Sequence, residues 1–158
     1  MIETILPVLI SVATTYNLDT NLVQAIAEHE SLGNQWAARY EPGWKYFYFP
    51  REYAENLKIT PETEEILQSV SWGPLQIMGS VARELGFKEY LTELTDLKTG
   101  LEYGCKKIRR LSDKYPDEMD VISAYNAGYP RKTPGGQYLN MLYVDAVWKR
   151  LEELRTLK

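Results

Sequence analysis

The sequence predicts a mainly α fold, built as one domain over residues 1–158, with at most a short β element in the 40–50 region. Three observations carry that expectation. Apolar residues recur at the helical period along most of the chain, alternating stretches that would signal sheet are few, and turn residues fall at intervals suited to short connections. A chain of 158 residues, 44% hydrophobic and 25% charged, is long enough to bury its own core without staples. No Gly/Ser/Pro-rich stretch, like-charge run or internal repeat divides it.

The elements follow in order. A first helix runs from about Ile2 to Tyr16. Asn17, Asp19 and Thr20 offer caps for a second, whose stripe Leu22, Val23, Ile26 and Ala27 ends near Gly33. The segment from Arg39 to Tyr53 is dense in aromatics and contains Pro42, Gly43 and Pro50, which predicts a loop with a short strand pair over Lys45 to Phe49. Thr60, Pro61 and Glu62 supply a cap, a first-turn proline and a first-turn acid for a helix through Leu67. Ser80 is placed to cap a short helix to Leu85, stopped by Gly86. Thr99 to Glu102 has capping-box spacing, and Leu101, Cys105, Ile108 and Leu111 extend that helix towards Pro116. Asp117 caps the next helix, in which Val121, Ile122 and Ala124 face inward until Gly128 and Pro130 end it. A final helix carries Leu139, Leu142, Val147 and Leu151 to the C-terminus.

Composition narrows the function. A formal net charge of −4 supplies no basic field to attract nucleic acid. A single cysteine, Cys105, excludes an intrachain disulfide, and with one histidine, His29, no metal centre or other cofactor is expected. The apolar run Ile5–Ala13 follows Glu3 rather than a lysine or arginine and is far shorter than the ~20 residues of a membrane span, so it is expected to be a core helix and not a signal peptide. The aromatic complement is 12 Tyr and 4 Trp against 3 Phe, so most aromatic surface carries a hydrogen-bonding group and suits a wet apolar wall.

Glu30 closes the otherwise apolar second helix, where a carboxyl shielded from water can serve as a general acid. By itself it is more ordinarily a surface glutamate. Its weight comes from three segments in order: Glu30-Ser31, Ser71-Trp-Gly-Pro-Leu-Gln-Ile-Met78 and Ser123-Ala-Tyr-Asn-Ala-Gly128. Together with Tyr143-Val144, these resemble the soluble lytic transglycosylases and their relatives the goose-type lysozymes, of the lysozyme-like superfamily. The likeness extends from about Leu18 to Val147 and is closest to compact, single-domain bacteriophage lysins. It departs from the family at Pro74 and Leu75, where leucine and methionine are usual, and in the longer aromatic stretch from Ala37 to Tyr48.

The resemblance implies a lysozyme-like fold and cleavage of peptidoglycan glycan strands, with Glu30 protonating the leaving oxygen and Tyr125 holding the Glu30 carboxyl by a phenolic hydrogen bond. Asn126 would fix local backbone or sugar amides, Gln76 would meet a sugar N-acetyl or hydroxyl group, and Gly73 would let the backbone approach the sugar. Ser31 either orients the acid or ends its helix; Tyr143 either lines the subsite near the cut or packs the last helix. Tyr40, Trp44, Tyr46 and Tyr48 either stack on pyranose faces or form a small aromatic core under the loop. His29 points away from Glu30 on the helix and is assigned no chemistry.

A transglycosylase needs one carboxyl, because the substrate's own groups supply the nucleophile, whereas a goose-type hydrolase needs a second, for which Glu41 and Glu52 are the candidates. A glycan-binding module that had lost its chemistry is the non-enzymatic alternative. For a phage lysin the expectation is a monomer made in the cytoplasm without a signal peptide. It would act on the wall after release by a holin-type membrane-permeabilising partner or after virion-borne delivery.

Overall fold

The computed structural model describes residues 1–157. Eight α-helices and a three-stranded sheet are present among them. Helix α1 is Ile2–Thr15 and α2 is Thr20–Ser31; strand β1, Ala38–Tyr40, follows, then α3, Pro50–Leu57, and α4, Pro61–Gln68. Strands β2, Val70–Trp72, and β3, Ile77–Met78, lead into α5, Gly79–Glu84, and a 3-10 turn at Leu91–Thr95. Helices α6, Leu97–Lys114, α7, Glu118–Ala127, and α8, Met141–Thr156, complete the fold. No helix among the described residues is long and apolar enough to cross a membrane.

Two hydrophobic clusters organise these elements. The larger joins Leu9 of α1, Ile26 of α2, Leu101, Cys105 and Ile108 of α6, Ile122 of α7 and Val147 and Leu151 of α8. Each fully buried aliphatic side chain there contributes about 1.5–3 kcal/mol of transfer free energy. The smaller cluster collects Val70, Trp72, Ile77, Ala82, Phe87, Leu91 and Leu94 under the sheet and α5. The N-terminal apolar run is a core helix, with Ile5, Leu9, Val12 and Ala13 buried.

The smaller lobe also buries a charge pair. Arg83 and Glu64 are both fully buried and meet through a two-pronged contact, Nε to Oε1 at 2.7 Å and Nη2 to Oε2 at 3.1 Å. Arg83 Nη1 donates to the carbonyls of Phe87 and Glu89, so the guanidinium is satisfied on both sides. Gln68 donates to Glu64 Oε1 and to Tyr48 O and accepts from Tyr48 N, which fastens the aromatic loop onto α4.

Helix ends follow the local chemistry. Asp19 Oδ1 accepts from Asn21 N, Thr60 Oγ1 from Thr63 N, and Asp117 Oδ1 from Met119 N. Four boundary expectations are corrected. The strand pair expected over Lys45–Phe49 is absent; β1 lies at Ala38–Tyr40 and pairs antiparallel with β2 across a long sequence gap, which no local pattern reports. Helix α3, within the expected loop, starts at Pro50, a first-turn proline that reads equally well as a turn residue. Ser80 and Thr99 are not caps. Helix α5 begins at Gly79 with Ser80 buried inside it, and α6 begins at Leu97, capped by Asp96 Oδ1 accepting from Thr99 N at 2.9 Å.

Candidate active site

Helix α2 delivers Glu30 in its last turn. Leu32 leaves the helix in the left-handed region at φ 55°, and Gly33 N donates back to Ala27 O at 3.3 Å, a closed C-terminal turn that fixes where Glu30 stands. Helix α8 runs antiparallel to α2. Arg155 meets Asp19 at one end of the pair, Arg150 meets Glu28 further along, and Tyr143 reaches Glu30 at the other end. The Tyr143 hydroxyl donates to Glu30 Oε1 at 2.7 Å, with both residues half-buried. Because that oxygen accepts, a proton on the carboxyl belongs on Oε2. Burial, then the neighbouring Glu30 carboxyl, holds the Tyr143 phenol protonated, well above the ordinary tyrosine range, so it stays a donor. The His29 ring stands edge-on to Tyr143 with centroids 4.7 Å apart.

The turn between β2 and β3 comes against this helix end and is held by other expected site residues. Gly73 has φ 72°, and a Cβ there would sit 2.7 Å from Leu94 O, so glycine is required by the close approach of the protein's own backbone. Gln76 is also left-handed, at φ 47°, and its amide makes three hydrogen bonds within the protein: Nε2 donates to Ala37 O and Gly73 O, and Oε1 accepts from Ser71 Oγ. The side chain thus latches an otherwise costly turn. Ser31 Oγ donates to Pro74 O at 2.8 Å and accepts from Asn34 N at 3.1 Å, which ties the end of α2 to that turn.

Tyr125 corrects the expectation made for it. Its ring is buried in the larger cluster and its hydroxyl donates to Leu75 O at 2.6 Å, not to Glu30. The phenol that holds the acid comes from α8 because α2 packs along α8. Leu75 in turn drops its side chain onto α6, where a Cβ at Gly104 would lie 2.3 Å from Leu75 Cδ1. Two carbonyls of one turn, Pro74 and Leu75, are therefore gripped by Ser31 and Tyr125.

Asn126 is exposed at the end of α7, and its Oδ1 accepts from Asn140 Nδ2 at 3.0 Å. Glu41 is paired with Arg39 Nε at 2.7 Å on an exposed stretch beside β1, and Glu52 lines a shallow surface pocket with Phe49, Pro50, Arg51 and Glu65. The aromatic loop carries both ring-to-ring contacts and exposed rings. Trp44 stands edge-on to Tyr46, and Tyr48 stands edge-on to Phe49, while Tyr40 and Tyr46 present most of their surface to solvent.

One charged group beside Tyr125 was not singled out in the sequence. Lys107 of α6 is half-buried, donates to Tyr125 O at 2.7 Å, and stands 4.0 Å from the Tyr125 ring centroid. Its signal was a lysine bordering the apolar stripe of Gly104, Ile108 and Leu111.

A mainly helical domain whose second helix ends on a phenol-held carboxyl, flanked by a small antiparallel sheet, has the lysozyme-like architecture. The transglycosylase SLT domain model matches residues 7–138, most of the chain, and the chain belongs to that family of lytic transglycosylase-type enzymes acting on peptidoglycan. Glu30, the β2–β3 turn and the end of α7 fall within the match, and Tyr143 lies just beyond it. Comparison with curated proteins and with solved structures returned no match.

Proposed function

We propose that this enzyme cleaves the MurNAc-β-1,4-GlcNAc bond of peptidoglycan by intramolecular transglycosylation, with Glu30 as its acid and then its base. The observation that carries the reading is a half-buried Glu30 carboxyl held on one oxygen by Tyr143, while Glu41 is paired with Arg39 and Glu52 lines a surface pocket that does not include Glu30. Glu30 Oε2 gives its proton to the glycosidic oxygen as the C1–O bond breaks, and the N-acetyl carbonyl oxygen of the same sugar closes onto C1. The 6-hydroxyl oxygen then attacks C1 and displaces the acetamido oxygen, and its proton passes to the Glu30 carboxylate, so no water enters the product. Ser31, Gly73, Gln76 and Tyr125 act by holding the turn beside the acid, and Asn126, with Oδ1 engaged by Asn140, keeps its amide N–H groups for a sugar acetamido or hydroxyl oxygen.

Digestion of purified peptidoglycan followed by mass spectrometry tests this directly. Muropeptides one water lighter than the hydrolysed forms, ending in 1,6-anhydro-N-acetylmuramic acid, are expected; only reducing ends would assign a goose-type hydrolase. Binding to the wall without release of fragments would assign a glycan-binding module.

The biological setting that fits best is a phage endolysin acting as a monomer, made in the cytoplasm and reaching the wall through a holin-type partner or in the virion. Its support is the small size and single-domain arrangement, which are similar to those of compact phage lysins. Expression alone should leave a host culture intact, and co-expression with a membrane-permeabilising protein should clear it.

A further inference from the structure

Helix α7 ends at Ala127, so the carbonyl of Tyr125 lies in its last turn, where helix carbonyls lack partners and the helix dipole is negative. Lys107 Nζ occupies that position at 2.7 Å, on the face of the Tyr125 ring. The same ring directs its hydroxyl to Leu75 O in the turn beside Glu30. Tyr125 from α7 touches the ammonium, and the charged groups that act on it electrostatically are Glu30 from α2 and Arg110 along α6. Of these, only Glu30 brings an opposite charge.

The geometry points to Lys107 as a positioning residue for the reaction: its ammonium ties the end of α7 to α6 behind the Tyr125 ring that grips the active-site turn, and its positive charge acts on the Glu30 carboxylate. The assignment rests on the reading of Glu30 given above. In that reading Glu30 becomes a carboxylate once it has protonated the leaving oxygen, and a cation preset beside it stabilises the charge without reorganising. Lys107 makes this contribution through Glu30 and Tyr125, so its effect belongs in turnover and not in substrate affinity.

Its titration supplies a readout that a plain helix cap would not. Burial pushes the Lys107 ammonium down from 10.5 to about 8, with Glu30 pulling the other way and Arg110 adding to the fall. The group is therefore charged below about pH 8 and neutral above it. Tyr125 and Tyr143 are both held well above the ordinary phenol range, so neither loses its proton there.

The experiment measures kcat and KM of the wild type, Lys107→Met and Lys107→Arg on purified glycan strands between about pH 7 and about pH 10, with thermal unfolding of each. Wild-type turnover should fall through about pH 8. Lys107→Met should lose roughly tenfold in kcat at neutral pH, keep KM within about twofold and show no such fall. Lys107→Arg, whose charge persists, should recover most of the turnover and hold it into the alkaline range. A flat wild-type profile overturns the assignment, even should Lys107→Met not fold. A folded Lys107→Met with wild-type kcat also overturns it, as does a loss that arginine does not restore. A wild type that releases no fragments at all would instead remove the reading of Glu30 on which the assignment stands.

Discussion

Tyr143 and Glu30 lie 113 residues apart and meet through a single 2.7 Å hydrogen bond from phenol to carboxyl. Two helices at opposite ends of the chain thus meet at one point, where α2 carries the carboxyl and α8 the phenol that donates to it. Glu30→Gln keeps the side-chain shape and the Tyr143 contact but removes the transferable proton. Fragment release should fall by at least ~10², with the melting temperature nearly unchanged. Tyr143→Phe should cost roughly tenfold in kcat through loss of one hydrogen bond to a charged group, with KM little altered. Near-wild-type turnover in Glu30→Gln would remove this carboxyl from the mechanism.

Tyr125→Phe should behave in the opposite way. Its hydroxyl is buried and serves Leu75 O, so its loss leaves a buried carbonyl without this donor, a cost of about 1–3 kcal/mol. For a domain of this size the melting temperature should drop by about 2–4 °C per kcal/mol. Calorimetry beside single-turnover kinetics separates the outcomes; unchanged stability with lost turnover would return Tyr125 to the chemistry.

Much of this was legible in the residues, and what was not has a physical cause. Helices α2, α6 and α7 were readable because caps at Asp19 and Asp117 and buried stripes such as Leu101, Cys105 and Ile108 are local signals. Strand β1 was not, since its partner β2 lies about thirty residues on and pairing across that distance has no local signature. The motif residues Ser31, Gly73, Gln76 and Tyr125 do come together, yet with one another and the turn backbone. A short motif reports that residues are jointly needed and leaves open whether they face the ligand or each other. Which tyrosine reaches Glu30 depends on the α2–α8 register, a tertiary fact that the Arg150–Glu28 pair shares.

The buried pair in the smaller lobe predicts a sharp asymmetry. Arg83→Met should leave Glu64 as an uncompensated buried charge and destabilise by about 3–5 kcal/mol. It should also loosen Tyr48, because Gln68 bonds both Glu64 and the Tyr48 backbone. The double variant Arg83→Met, Glu64→Leu should recover much of the loss, since no charge is then stranded. Denaturant midpoints of the three variants check this; a double variant no better than Arg83→Met would count against charge stranding.

Acid sensitivity should arise partly from Asp96, whose carboxyl is held below the usual carboxylate range, first by the Thr99 backbone N–H and then by the Thr99 hydroxyl. For Asp120, burial pushes up but the hydrogen bonds from Lys132 and Tyr138 prevail and hold it low. A carboxyl depressed in the folded state stabilises it above its unfolded value, and that contribution is lost as pH falls through the folded pKa. Stability should therefore be level near neutrality and decline below about pH 4. Asp96→Asn should keep the α6 cap and soften the decline, while Asp96→Ala should cost about 1 kcal/mol at neutral pH. Thermal melts across that range provide the measurement, and an Asp96→Asn profile identical to wild type would leave the acid limb to other groups.

Glu41 offers the sharpest division between the two glycosidase chemistries. A goose-type hydrolase needs a carboxylate free to position water on the far face of the sugar, and the loss of that group removes most of the rate. Glu41 is paired with Arg39 by a 2.7 Å contact, with the arginine side chain 68% exposed and the glutamate side chain 33% exposed. Such a surface pair is worth at most about 1 kcal/mol. Glu41→Gln should accordingly leave stability almost unchanged, keep fragment release within about threefold of wild type and leave the 1,6-anhydro form as the only new MurNAc end. Glu52→Gln, in its separate surface pocket, should do the same. If Glu41→Gln were folded but dead, with hydrolysed reducing ends from the wild type, Glu41 would be the water-positioning base, and the Arg39 pair would have to open on substrate binding. Both readouts come from one digest, so loss of activity by misfolding, which would show in the melting curve, is distinguishable from loss of a second catalytic carboxylate.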